Sequence, residues 1–136
     1  MKRGFKVDIE KLTLENENYR QVLYSGEHSQ LVLMCLPRLE EIGLEVHEKI
    51  DQFFRIEAGV GKVIINNTEY DVKSGDVIIV PSGAKHNVIN TSSDTELKFY
   101  TLYSPAHHKD GLVLKTKEDE KTQEKEFDGA TTEGNN

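Results

Sequence analysis

The sequence is poor in several residue types, and each shortage excludes a class of structure. It has one cysteine, no tryptophan and three prolines among its 136 residues, so an intramolecular disulfide is excluded. Cys35 lies inside the apolar run LVLMCL, where nothing beside it would lower the pKa of a thiol. We therefore expect Cys35 to be a buried apolar side chain.

Long apolar runs and an excess of basic charge are also missing. No run approaches the roughly 20 apolar residues that a membrane-spanning helix needs, and the first 18 residues lack the apolar centre of a signal peptide. The 24 acidic residues outnumber the 17 basic ones and give a net charge of −7, which disfavours nucleic acid and anionic membranes as partners. We expect a cytoplasmic protein whose partner is a small molecule or another protein.

Short apolar or alternating runs, separated by turn residues, occupy residues 19–103, and no long segment has helical periodicity. The predicted strands are YRQVLY, LVLMCLP, DQFFRIEAG, GKVIIN, TEYDVK, DVIIVP, HNVIN and LKFYTLY. Asn66 and Asn67 separate two alternating runs and predict a tight hairpin. Many short strands at regular spacing predict an all-β sandwich or barrel.

We expect one domain with two flanking segments. Residues 1–18 receive no assignment beyond one helical turn near Ile9 and Leu12, and residues 19–114 form the barrel. Residues 115–136 contain four lysines and seven acidic residues, and Phe127 is their only large apolar side chain. A segment with so little to bury is predicted to be a disordered acidic tail.

Alternation along two predicted strands indicates which side chains line the barrel interior. The inward set of DQFFRIEA is Gln52, Phe54, Ile56 and Ala58, and the corresponding set of LKFYTLY is Leu97, Phe99, Thr101 and Tyr103. Tyr103 is therefore a candidate proton donor or substrate ligand, with an ordinary core tyrosine as the alternative. The loop residues His28, His107 and His108 are expected at the surface.

Four polar side chains have a spacing that suits a metal site. Glu45 and His47 are two residues apart on an extended segment and share a face. Gln52 opens the next strand, which would bring it opposite His47 if the two strands form a hairpin. His86 lies on a separate strand and would reach the site from across the barrel. A carboxylate, an amide oxygen and two imidazoles suit a divalent transition metal.

The stretch of residues 75–90 that contains His86 resembles the second motif of the cupin superfamily, G-x5-P-x-G-x2-H-x3-N. The match is complete and consists of Gly75, Pro81, Gly83, His86 and Asn90. The resemblance covers about residues 19–105 and implies a small single-domain cupin, a double-stranded β-helix (jelly roll) with a metal inside it.

The first cupin motif, G-x5-H-x-H-x4-E-x6-G, is matched in part, with two departures at its ligand positions. His47 and Gly59 agree with it, whereas Glu45 replaces its first histidine and Gln52 replaces its glutamate. The exchange keeps one carboxylate and two imidazoles, so the resemblance implies Glu45, His47, Gln52 and His86 as ligands of Mn, Fe, Zn or Ni. The alternative is a cupin that has lost its metal and keeps the barrel as a scaffold.

The resemblance also implies a range of functions. Small cupins of this pattern are similar to proteins called mannose-6-phosphate-isomerase-like, so we expect a metal-dependent isomerase or epimerase of a sugar or sugar acid, with Tyr103 and Glu45 as candidate catalytic residues. The alternatives are a non-catalytic ligand-binding cupin and an iron-dependent dioxygenase. Cupins commonly pair, and the YRQVLY and LVLMCL runs are the expected surface of a homodimer.

Overall fold

Ten strands and two short helices account for the regular structure of residues 1–134, the part of the chain that the computed structural model describes. The helices are α1 (Ile9–Glu15) and α2 (Glu120–Gln123), and a 3₁₀ turn spans Lys117–Asp119. The strands are β1 (Arg20–Ser25), β2 (Gln30–Leu36), β3 (Glu45–Val46), β4 (Asp51–Ala58), β5 (Val60–Ile65), β6 (Thr68–Lys73), β7 (Val77–Val80), β8 (Lys85–Asn90), β9 (Leu97–Ser104) and β10 (Val113–Leu114). Within residues 1–134, no helix has the length and apolar character to cross a bilayer.

The strands form two antiparallel sheets that share one apolar core. The larger sheet has the order β10-β1-β2-β9-β4-β7, and the smaller has the order β3-β8-β5-β6. Val32, Phe54 and Phe99 of the larger sheet pack in the same cluster as Val63 and Val88 of the smaller one. This arrangement is the predicted jelly-roll barrel, and closing two sheets over one core protects the inner faces of both.

The predicted strands are confirmed because their alternation matches the burial observed in the structure. All eight predicted runs overlap strands, and the inward sets on β4 and β9 are buried except for half-buried Ala58. Asn66 has a φ of 52° in the β5–β6 hairpin, a left-handed conformation that asparagine tolerates. Near the N-terminus, α1 extends the single helical turn that was expected, and the Asp8 side chain caps it by accepting from Lys11 N.

Cys35 is buried in β2, as predicted. Burial, together with a hydrogen bond to the Glu96 carboxylate at 3.3 Å, raises the pKa of its thiol to about 12. The thiolate is the reactive form of cysteine, so this side chain is inert at neutral pH.

The hairpin expected between the segments of His47 and Gln52 is absent. β3 pairs with β8 in the smaller sheet, whereas β4 pairs with β7 and β9 in the larger one. Pairing between neighbours along the chain is the default for short strands, but a jelly roll alternates its strands between two sheets. Gln52 therefore approaches from the opposite sheet.

The C-terminal segment differs from the predicted disordered tail. Residues 115–134 contain the 3₁₀ turn and α2, and their backbone bonds back to the barrel through Phe127 N, which donates to His107 O at 3.0 Å. Two carboxylates of this segment bind Arg20, whose side chain is 2% exposed. Charged side chains therefore attach this segment to the barrel, and its low apolar content did not predict such an attachment. Asn135 and Asn136, the last residues of the predicted tail, lie outside the described residues.

Candidate metal centre

Three of the four predicted ligands meet on the smaller sheet. The antiparallel pairing of β3 with β8 sets Glu45 directly opposite His86, and His47 follows β3 immediately. Gly83 N donates to His47 O at 2.9 Å, which ties this residue to the turn before β8. One ligand atom each from Glu45, His47 and His86 lie within 4.8 Å of one another. His86 is thus a neighbour of Glu45 in the same sheet and does not reach it from across the barrel.

Gln52 contributes a polar group from the larger sheet. Its side chain is buried, and its Nε2 donates to Thr101 Oγ1 on β9 at 2.9 Å. Its Oε1 is buried without a hydrogen-bond partner. A buried amide oxygen without a partner is costly, so this atom has an unused capacity to bind a donor or a cation.

Glu45, His47 and His86 form a triad, and both of its histidines are neutral, which is the state that binds a metal. Burial, together with the nearby imidazoles of His107 and His86, lowers the pKa of His47 to about 4. Burial also lowers the pKa of His86, although the hydrogen bond from its Nδ1 to Ala84 O at 3.2 Å opposes the shift. That bond leaves His86 Nε2 with a free lone pair, as is usual for metal-binding histidines.

Glu45 lies beside an uncharged histidine. Its Oε2 is 3.5 Å from His47 Nε2, but that nitrogen makes no hydrogen bond, and a neutral imidazole supplies no positive charge. Burial raises the pKa of the Glu45 carboxyl, and the positive charge of Arg20 opposes this shift. A half-buried carboxyl in this position is stabilised by a cation or by a proton.

Tyr103 occupies the interior beside the triad, as its position in the alternating pattern predicted. It faces Gln52 across the β4–β9 pairing, and its ring centroid is 5.9 Å from that of His47 in an edge-on arrangement. Its hydroxyl is 3.1 Å from His108 Nε2. Burial raises the pKa of this phenol far above its usual value, so it is protonated at neutral pH.

The prediction that His107 and His108 lie at the surface is wrong, whereas His28 is exposed as predicted. The His107 ring centroid is 4.5 Å from that of His47, and His108 is buried. His107 and His108 follow Tyr103, the last inward side chain of β9, by four and five residues. This proximity to a strand end was the available signal.

Arg20 and Glu124 are further residues near the site that carried no signal in the sequence. Glu124 Oε1 is 2.6 Å from His108 Nδ1, and its Oε2 accepts from Arg20 Nη1 at 2.7 Å. Glu120 Oε2 accepts from the same guanidinium at 3.3 Å. The segment after β10 is thereby connected to the interior of the barrel.

A two-sheet antiparallel barrel with imidazole and carboxylate side chains in its interior is the architecture of a cupin. A family model described as a cupin domain matches residues 32–103, more than half of the chain. The chain therefore belongs to the cupin family, and the resemblance seen in its two motifs is confirmed.

Two relatives have similar sequences. The chain is 42% identical over 123 residues to the uncharacterized protein YrkC of Bacillus subtilis (strain 168), a match that covers 86% of this chain and 66% of the relative. It is 39% identical over 112 residues to the uncharacterized protein L612 of Acanthamoeba polyphaga mimivirus, covering 80% of this chain and 70% of the relative. The chain thus spans slightly less than two thirds of the Bacillus subtilis protein.

A solved structure has a similar fold. The BH2720 protein of Bacillus halodurans superposes with a TM-score of 0.83 at 38% identity, and the match covers 85% of this chain and 92% of that one. The similarity extends beyond the residues that the family model matches, so it includes part of the flanking segments.

The neutral state of His47 predicts that acid destabilises the metal-free protein. Its pKa of about 4 in the folded state lies below the usual value of 6.5, so the unfolded chain binds more protons between these values. The free energy of unfolding should therefore fall as the pH falls through this window. We expect His47 alone to account for about 2 kcal/mol between pH 7 and pH 4.5.

Urea denaturation of metal-free protein at the two pH values measures this loss. Other groups also titrate in the window, so the decisive quantity is the difference between the wild type and a His47→Asn variant. We expect a smaller loss in His47→Asn and an unchanged loss in His28→Asn, because His28 is exposed. Equal losses in the wild type and His47→Asn would contradict the prediction.

Proposed function

We propose that this cupin binds a divalent transition metal through Glu45, His47 and His86, with Gln52 Oε1 as an additional oxygen ligand. The main support is a convergence of ligand atoms that have no other partner. The triad atoms lie within 4.8 Å of one another, while His47 Nε2 and Gln52 Oε1 are buried without hydrogen bonds. Buried polar atoms normally have partners, and we propose that one cation is the partner of both.

The donor set limits the metal. Two neutral imidazoles, a carboxylate and an amide oxygen are of intermediate hardness, and this mixture suits Mn²⁺, Fe²⁺, Zn²⁺ or Ni²⁺. Oxygen ligands at two positions favour Mn²⁺ or Fe²⁺ within that group. The hydrogen bonds of Gln52 to Thr101 and of His86 to Ala84 would orient their ligand atoms.

The reaction we propose is the isomerisation or epimerisation of a sugar or sugar acid. A bound metal supplies Lewis acidity that polarises a carbonyl oxygen and stabilises negative charge on it. The chain supplies groups that move a proton, and Tyr103 is the first candidate because its hydroxyl belongs to a hydrogen-bonded chain beside the triad. Glu45 is the second candidate, since burial raises the pKa of its carboxyl towards neutral pH.

A non-catalytic ligand-binding cupin is the second candidate function. His47, His86 and Tyr103 are at most 8% exposed, so only the partly exposed Glu45 side of the triad is open to solvent. An iron-dependent dioxygenase stays the third possibility from the sequence, and oxygen uptake with Fe²⁺-loaded protein would detect it.

The experiment is metal analysis of protein purified without chelators, in the wild type and in His86→Ala and Glu45→Ala. We expect an equimolar amount of metal in the wild type and an affinity loss of about 100-fold in His86→Ala, with a smaller loss in Glu45→Ala. His28→Ala is the matched control because this histidine is exposed and remote from the triad in sequence and contact. Full metal retention in both ligand variants would contradict the proposed ligand set.

The same preparations test the reaction. Incubation with sugars and uronates in deuterated water should give carbon-bound deuterium with the wild type and none with His86→Ala. A wild type that holds metal but exchanges no hydrogen with any sugar would support the non-catalytic function.

A homodimer in the cytoplasm completes the proposal. We propose a different dimer surface from the one expected from the sequence, because β2 lies in the middle of the larger sheet and is almost entirely buried. Val77 and Ile79 on β7, an edge strand, are 46% and 59% exposed. Exposed apolar side chains on an edge strand are a common pairing surface.

A further inference from the structure

An unbroken hydrogen-bonded chain runs from the C-terminal segment to the interior of the barrel. Arg20 Nη1 donates to Glu124 Oε2 at 2.7 Å, Glu124 Oε1 is 2.6 Å from His108 Nδ1, and His108 Nε2 is 3.1 Å from the Tyr103 hydroxyl. Arg20, His108 and Tyr103 are each at most 3% exposed. None of the four is among the proposed metal ligands, and the cupin motifs include none of them.

The chemistry of the donors and acceptors determines which group donates in each of these hydrogen bonds. Ionised Glu124 is only an acceptor, so the contact with His108 requires a hydrogen on Nδ1. A neutral imidazole carries one hydrogen, which leaves Nε2 as an acceptor. The remaining contact then requires the Tyr103 hydroxyl to donate to Nε2, which leaves the phenol oxygen to act as an acceptor.

Surrounding charges stabilise this protonation pattern. Burial alone would raise the pKa of Glu124, but the hydrogen bond with His108 and the Arg20 guanidinium hold that pKa below its usual value. Burial lowers the pKa of His108, and the Arg20 charge acts in the same direction although Glu124 opposes it. A charged Glu124 beside a neutral His108 is therefore the stable state at neutral pH.

We propose that Glu124 is a positioning residue that acts through His108 to turn Tyr103 into a hydrogen-bond acceptor facing the interior beside Glu45, His47 and His86. The group that meets Tyr103 must then carry a hydrogen, as a sugar hydroxyl does, and a bare carbonyl or carboxylate oxygen is disfavoured there. The statement about the ligand rests on the proposed function, whereas the direction of the hydrogen bonds does not.

The deciding measurement is the tautomer of His108 in metal-free, full-length protein. Long-range ¹H–¹⁵N correlation spectra of the ring nitrogens distinguish a protonated nitrogen from an accepting one, and a His108→Gln variant assigns the signals. We expect a protonated Nδ1 and an accepting Nε2 in a single tautomer. A protonated Nε2 in the wild type would overturn the proposal, and this test needs no variant to fold other than the one used for assignment.

Two glutamates on the same segment provide a matched pair for testing whether Glu124 sets the tautomer of His108. Glu124 and Glu120 both bind Arg20, but only Glu124 contacts His108. A glutamine can present either its oxygen or its nitrogen, so Glu124→Gln should give a mixture of the two tautomers. Glu120→Gln should keep the single wild-type tautomer. An unchanged tautomer in Glu124→Gln, or an equal change in both variants, would refute the role of Glu124.

Failure of this proposal can be told apart from failure of the proposed function. The spectra are recorded without metal, so they report the hydrogen-bond direction even if the triad binds no metal. In the sugar exchange assay, Tyr103→Phe and Glu124→Gln should lose rate together while metal content stays unchanged. Loss of metal from Glu124→Gln would indicate a general distortion of the site and would also count against a positioning role.

Discussion

Replacing Gly59 by alanine is expected to lower the free energy of unfolding by about 4 kcal/mol, the largest effect of any single substitution considered for this protein. Gly59 joins β4 to β5 with a φ of 91°, a conformation that L-residues avoid. An added Cβ would also collide with the backbone carbonyl oxygen of Glu96 and lie 3.0 Å from Leu97 Cα. Backbone atoms at the start of β9 cannot move aside cheaply, so the strain and the overlap add.

Gly75→Ala is the matched control for Gly59→Ala. Gly75 also belongs to a cupin motif and has a φ of 95°, but a Cβ there would have no atom within 4 Å. Only the backbone strain applies, and we expect a loss of about 1 kcal/mol. Urea denaturation of both variants compares the two costs. Equal losses would mean that the approach of the Glu96 carbonyl contributes nothing.

Replacing Arg20 by methionine is expected to destabilise the protein by about 3 kcal/mol. Its guanidinium is 2% exposed and binds Glu120 and Glu124, and its carbon centre lies 5.1 Å from the Tyr19 ring centroid. Without it, two carboxylates face each other beside an apolar methionine. Because both glutamates are partly exposed, the effect should lie at the lower end of the range for breaking a buried ion pair.

The consequence of Arg20→Met should be local as well as global. Residues 115–134 are connected to the barrel through these carboxylates, and the segment contains lysines at 115, 117, 121 and 125. Trypsin should therefore cut the segment faster in Arg20→Met than in the wild type, and adding Glu124→Gln to this variant should restore part of the stability by removing one uncompensated charge. Wild-type resistance to trypsin in Arg20→Met would contradict the role of Arg20 as the anchor of the segment.

Much of the fold was predictable because strand alternation is a local property. The inward sets on β4 and β9 were identified from every second residue, and the same residues are buried. The hairpin at Asn66 was predictable for a similar reason, since the requirement for a positive φ is visible in the residue type. Partners among strands were less predictable, and the expected pairing of β4 with the segment before it was wrong.

The candidate site was predictable in its residues but not in its geometry. Motif spacing pointed to Glu45, His47 and His86, which the fold brings within 4.8 Å of one another. The spacing did not say that Glu45 and His86 would be neighbours in one sheet while Gln52 would approach from the other. It also gave no reason to place His107 or His108 inside the barrel.

The sequence by itself determined the class of fold and the chemical types at the candidate metal site, because alternation, turn residues and motif spacing act over a few residues. Only the tertiary structure decided what surrounds them. Arg20 and Glu124 are 104 residues apart, and no local pattern links an arginine at the start of one strand to a glutamate in an acidic, lysine-rich segment. Their pairing exists because a buried guanidinium needs carboxylates from elsewhere in the chain, and it connects that segment to His108 and Tyr103.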